Sequence, residues 1–186
     1  VLMDKEMGEP ILIDGEPITA QTDFVPETED GTIEVAFTFN SVPLKGKTVV
    51  VFESLQHKGR EIAAHADIED KGQTVKFKTP AITTFAAGEN GGKELLISNE
   101  TVVRDVVTYE SLAAGVEYTL KGVLIDKETG EALLIDGKEI TAETAFTPIA
   151  GSGSVGLPFT FNSLTLPGKE LIVFQEVYQG EERIAQ

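Results

Sequence analysis

The chain repeats itself. "VLMDKEMGEPILIDGEPITAQTDF" at residues 1–24 returns as "VLIDKETGEALLIDGKEITAETAF" at residues 123–146. "FTFNS" at residues 37–41 returns at 159–163, and "VVFE" at 50–53 returns as "IVFQ" at 172–175. Residue 123 answers to residue 1 and residue 175 to residue 53, an offset of 122 throughout. Without a gap, residues 1–64 match 123–186, with about half of the positions identical. A unit of this length is too long for a solenoid repeat and long enough for a domain with its own core. The frame is offset from the domains: 186 residues hold about one and a half repeats. Residues 1–80 read as the tail of one unit and 81–186 as the front of the next, with a short joint at "FKTPAI" where Pro80 breaks the pattern.

Each unit reads as all-β. "EVAFTFN", "KTVVVFES" and "VEYTLKGVLID" alternate or run apolar with β-branched and aromatic residues. "DKETGE", "IDGKE", "ENGGKE" and "AGSGSVG" between such runs are turn signals. No segment sustains a helical period. Domain-sized repeats of several short strands predict immunoglobulin-like β-sandwiches in tandem.

Charge narrows the function. The formal net charge is −16, which opposes binding to a phosphate backbone or to an anionic membrane surface, so no nucleic acid partner and no membrane insertion are expected. No apolar run reaches the length of a membrane span. No secretory leader is visible at Val1, and the chain reads as an internal piece of a longer protein. There is no Cys, so disulfides and thiolate metal sites are absent.

"HADIEDKGQTV" at residues 65–75 holds one of the two histidines. One reading is a solvated turn entering a last strand, "QTVKFK". A metal site built from His65, Asp67 and Asp70 lacks the alternating oxygen ligands and central Gly of a calcium loop. A third reading comes from its neighbours. "VVFE", "HADIEDKGQT", "PAITTFA" and "VVRDVVTYESLAAGVEYTLKGVLIDKETG" stand in an order that resembles the ester-bond-forming Thr–Gln domains of Gram-positive surface adhesins, also known from their VaFE motif. The resemblance covers nearly the whole chain.

That resemblance implies a chemistry. In such domains a Thr of the first strand attacks the side-chain carbonyl of a Gln on the last strand, ammonia leaves, and an intramolecular ester remains. Carried over, the cross-link would join Thr83, with Thr84 as the fallback, to Gln73. His65, Glu53 and Asp105 would be the catalytic groups. A Thr hydroxyl needs a base to take its proton, and the ordinary pKa of an imidazole, about 6.5, suits that task. An amide carbonyl needs polarisation, which two buried carboxyls sharing one proton would supply. The site would have to exclude water. Joining first and last strands closes a long loop, as a disulfide would. No cofactor and no metal is implied. The implied protein is a stalk module, extracellular and anchored to the cell wall, that turns over once and is no ordinary enzyme. Its partners would be neighbouring repeats and an unidentified host surface ligand.

The frame divides this set. Glu53, His65 and Gln73 fall in the first unit, Thr83 and Asp105 in the second, and Gln175 stands where the second unit should carry its acid. Glu176 is adjacent but would point to the other face of a strand. Three arrangements are open: each unit completes itself with sequence outside this chain, residues 81–122 complete 1–80 in a permuted domain, or strands exchange between chains. Competing functions are a Lys–Asn isopeptide module using Lys121 or Lys47 with Asn40 or Asn162, and a binding module without a bond. The absence of Trp weakens sugar stacking. No Gly-x-Ser-x-Gly elbow is present, which weakens a hydrolase.

Overall fold

Short β-forming runs bounded by Gly and Asp turns give sixteen strands and one 3-10 turn, Val42–Leu44, in a computed structural model that describes residues 1–186. They divide into two units, Val1–Thr79 and Pro80–Gln186. The first holds β1 (Leu2–Asp4), β2 (Leu12–Ile13), β3 (Glu16–Pro17), β4 (Thr48–Val51), β5 (Glu53–His57), β6 (Arg60–His65) and β7 (Thr74–Lys76). The second holds β8 (Ala81–Gly88), β9 (Thr101–Glu110), β10 (Tyr118–Asp126), β11 (Leu134–Ile135), β12 (Lys138–Glu139), β13 (Thr141–Phe146), β14 (Ser152–Phe161), β15 (Leu171–Gln179) and β16 (Glu182–Ala185).

The second unit is a two-sheet sandwich, with strand orders β14-β9-β8 and β13-β10-β15-β16, all antiparallel. Alternation in sequence becomes alternation in burial, because successive side chains leave opposite faces of a strand. Val103 and Val107 of β9, Leu120 and Leu124 of β10, Leu157 and Phe159 of β14, and Val177 of β15 are buried between the sheets. Gly122 of β10 sits among them because no side chain fits there. A Cβ on it would lie 2.7 Å from Phe159 Cζ and 2.7 Å from Gln175 Oε1.

The repeated sequence folds alike where its partners are local. In both copies an Asp caps a turn and accepts a lysine: Asp4 with Lys47 at 2.6 Å, and Asp126 with Lys169 at 2.9 Å. The Leu2 amide donates to Ile18 and the Ile11 amide to Leu2, as Leu124 donates to Ile140 and Leu133 to Leu124. Asp14-Gly15 and Asp136-Gly137 each put two consecutive residues at positive φ, the two-residue hairpin turn that Asp-Gly favours.

It folds differently where its partners are distant. β13 and β14 have counterparts at residues 19–24 and 30–39, and no strand forms there. The strand expected at "EVAFTFN" is therefore absent. β14 pairs only with β9, and β13 only with β10 residues Tyr118–Val123, and residues 19–24 and 30–39 pair with no such strands. Phe37 and Phe39 instead pack half-buried on a small core of Leu2, Ile11, Ile18, Leu44 and Val49. The β5–β6 hairpin matches β15–β16, yet Leu55 and Ile62 are 40% and 62% exposed whereas their counterparts Val177 and Ile184 are 0% and 6%. The facing sheet makes that difference.

Candidate functional site

Asp105 is held in the middle of β9 by pairing on both sides, with Ala86 of β8 and Leu157 of β14 opposite it. Its face is the inner one, with Val103 and Val107 as neighbours. Residues directly opposite in an antiparallel ladder share a face. Thr84 lies opposite the fully buried Val107, so it shares the face of Asp105; Thr83 lies opposite Thr108 on the outer face. The first of the two threonines is thus turned away from the acid, and the second is the one the ladder places beside it. Sequence alone could not choose, since either Thr suits a strand.

From the opposite sheet comes Gln175. It pairs with Gly122 on β10, which leaves room for its carboxamide. Gln175 Nε2 donates to Asp105 Oδ2 at 2.6 Å, a buried hydrogen bond across the sandwich. Asp105 is 0% and Gln175 3% exposed. Neither Asp105 Oδ1 nor Gln175 Oε1 has a hydrogen-bond partner. Two orphaned oxygens in one pair are uncommon, because a buried acceptor without a donor costs about 1–3 kcal/mol. Burial raises the Asp105 carboxyl above the usual carboxylate range, and the Gln175 hydrogen bond opposes that rise. The adjacent Glu176 points the other way, to Tyr178 at 2.8 Å and Arg183 at 2.5 Å.

The first unit gathers the other three residues. Glu53 and His65 lie directly opposite one another on β5 and β6. The Val51 amide donates to the Gln73 backbone carbonyl at 3.0 Å, continuing the β4–β7 ladder by one rung. Gln73 therefore sits two residues along the strand from Glu53. Glu53 and His65 are exposed, and Gln73 half-buried.

Asp70 joins this group. Its Oδ2 lies 2.7 Å from His65 Nε2, its Oδ1 accepts the Gly72 amide at 2.6 Å, and its backbone carbonyl accepts the Thr74 hydroxyl at 2.6 Å. It thereby ties the imidazole to the turn that carries Gln73. In the sequence the signal is "DKGQT", an Asx turn just ahead of a strand, which by itself fits a solvated turn equally well. His65 and Asp70 belong to no cluster of three or more metal-ligating side chains.

The isopeptide residues are placed elsewhere. Lys121 is on the outer face, 3.7 Å from Glu143 and over the Tyr178 ring. Lys47 is bonded to Asp4. Asn40 and Asn162 are exposed and cap the turns that follow them, accepting the amides of Val42 and Leu164. No buried Lys faces an Asn.

A family model described as the T-Q ester bond containing domain matches residues 2–77 and 80–186. Among solved structures, the chain is similar to two crystal forms, P1 and P21, of a bacterial adhesin from Mobiluncus mulieris described as containing intramolecular disulfide, isopeptide and ester bond cross-links. The identities are 14% and 13%, with a TM-score of 0.49 in both. Each match covers 58% of this chain and 52% of the other, so the chain spans about half the length of those structures. No curated protein matches.

Proposed function

Because the chain belongs to the T-Q ester bond containing domain family, we propose that it is a load-bearing piece of a bacterial surface adhesin, in which an ester between first and last strands closes the domains that hold the full set of groups. In such a domain the nucleophile is a first-strand threonine of the Thr84 type, and the electrophile is a last-strand glutamine of the Gln73 type. The threonine Oγ attacks the carboxamide carbon, its proton passes to an imidazole of the His65 type and from there to the departing NH2, and the nitrogen leaves as ammonia. One C–O bond replaces one C–N bond. The reaction runs once per domain, without cofactor, and nothing turns over afterwards. The single observation that carries this reading is that the groups of the set fall into two clusters. One unit presents Thr84 beside Asp105, and the other presents Glu53, His65 and Gln73 around one strand end. The two clusters are the two parts of one Thr–Gln set, as consecutive repeats of a cross-linked stalk would show.

The physical benefit is mechanical. An ester that closes a loop on the order of 100 residues removes unfolded-state entropy worth about 4–5 kcal/mol, as a disulfide of that span does. It serves a chain without Cys. Cell-wall anchoring and neighbouring repeats as partners follow from the stalk role.

The test uses the repeat itself. Gln186 aligns with Ala64, so a chain in which residues 65–79 are repeated after Gln186 continues the second unit in frame. With Gln175→Glu it carries every group of the set. Its intact mass should fall by about 17 Da, the ammonia that a nucleophile displaces from an amide. An unchanged mass sinks the reading.

A further inference from the structure

The pair of Asp105 and Gln175 is unlike the acid pair its position calls for, and the difference lies in which groups it can offer. The carboxamide of Gln175 donates to Asp105 Oδ2, and what remains are two buried acceptors, Asp105 Oδ1 and Gln175 Oε1. A primary carboxamide NH2 presents two donors, so an incoming glutamine satisfies the pair by its nitrogen. Two adjacent carboxylates cannot both ionise and so keep a proton between them. A neutral glutamine exerts no such repulsion, and its N–H is not an acid. Residue 175 therefore supplies no acid for the carbonyl oxygen of an arriving amide, and Asp105, its Oδ2 taken up by Gln175, is the one carboxyl left.

The register says where that amide arrives. In the first unit β7 lies along β4, with Val49 opposite Val75 and the Val51 amide donating to Gln73. The counterpart of Val51 is Val173 on β15. β15 pairs with β10 on one side along Leu171–Tyr178, and β16 covers its other side only at Val177–Gln179. The edge at Leu171–Val173 is therefore open to a repeat of β7. A glutamine there falls opposite Val173, two residues from Gln175 and on its face, a diagonal distance that a long side chain spans.

We propose that Gln175 makes the second unit a non-covalent module: it takes up the closing glutamine by hydrogen bonds to the carboxamide NH2 and leaves it unconverted. This rests on the ester reading above and adds that adjacent repeats differ in chemistry. One is welded, and its neighbour is closed by hydrogen bonds and yields first under load.

Three forms of the chain carrying residues 65–79 after Gln186 test it: the native sequence, Gln175→Glu, and the native sequence with the appended glutamine changed to Leu. Intact mass and thermal midpoint are measured on each. The native form should keep its mass and melt above the Leu form by about 4–8 °C, the shift of roughly 1 kcal/mol in a unit of this size. The Q175E form should lose about 17 Da, at a rate about 10²–10⁴-fold above the native form, the usual contribution of a positioned acid. Mass loss at similar rates in both overturns the inference and leaves the ester reading intact. A native form melting no higher than the Leu form overturns the uptake of the amide. No loss from either form overturns the ester reading itself, and the role of residue 175 with it.

Discussion

Thr84 and Asp105 share the inner face of the β8–β9 ladder, offset diagonally by two residues, with Thr84 opposite Val107 and Ala86 opposite Asp105. Thr83 shares the other face with Thr108. The two threonines therefore separate cleanly by substitution. In the in-frame extended chain carrying Gln175→Glu, Thr84→Ala should abolish the loss of about 17 Da that ammonia release produces, while Thr83→Ala should preserve it. The readout is intact mass, and the reverse pattern would move the nucleophile to the outer face.

Gly122 is needed for packing. Its missing Cβ is the space occupied by Phe159, Leu157 and the oxygen of Gln175. Gly122→Ala should destabilise the second unit by about 1–3 kcal/mol through overpacking. Calorimetry would show the transition of that unit falling while the first unit is unchanged.

Two kinds of aspartate should give opposite pH trends. Asp126 is held below its usual range by the hydrogen bond from Lys169, and Asp4 likewise by Lys47. Stability from these pairs is present above about pH 4 and is lost as the pH falls through their lowered folded values. Burial raises Asp105 instead. Its folded form holds a proton that the unfolded form has released, so its contribution declines as pH rises from about 4 through the raised value. Asp105→Asn should remove that decline and raise the thermal midpoint at neutral pH, relative to the native chain. Lys169→Met should weaken the chain at neutral pH and have little effect near pH 2.

Matching hairpins in the two units should differ in protection. β5–β6 is exposed along its length, and β15–β16 is covered by the facing sheet through Val177 and Ile184. Amide hydrogen exchange should be faster at Leu55 and Ile62 than at Val177 and Ile184, because few buried contacts means low local opening energy. Equal protection would contradict the account of the first unit as an uncovered half.

The sequence carried the all-β fold in its alternations, and the repeat carried the equivalence of the two copies. Lys47–Asp4 and Lys169–Asp126 show how far that goes: turns whose partners lie within the copy form twice. Residues 30–39 show where it ends. "FTFN" is a strand at 159–161 and not at 37–39, since β-propensity is realised only against a partner strand. The site was legible as residue types and order. Which threonine faces inward was not, because one residue of register flips a side chain to the other face. The partnership of Gln175 with Asp105 was hidden as well, since it joins two sheets across a sequence separation of 70 residues.

The most direct measurement is tandem mass spectrometry on a digest of the extended chain carrying Gln175→Glu. The account predicts one cross-linked peptide that joins Thr84 to the appended glutamine and is cleaved by hydroxylamine, as an ester is. A linear digest, or a bond formed through Thr83 or Lys121, would contradict it.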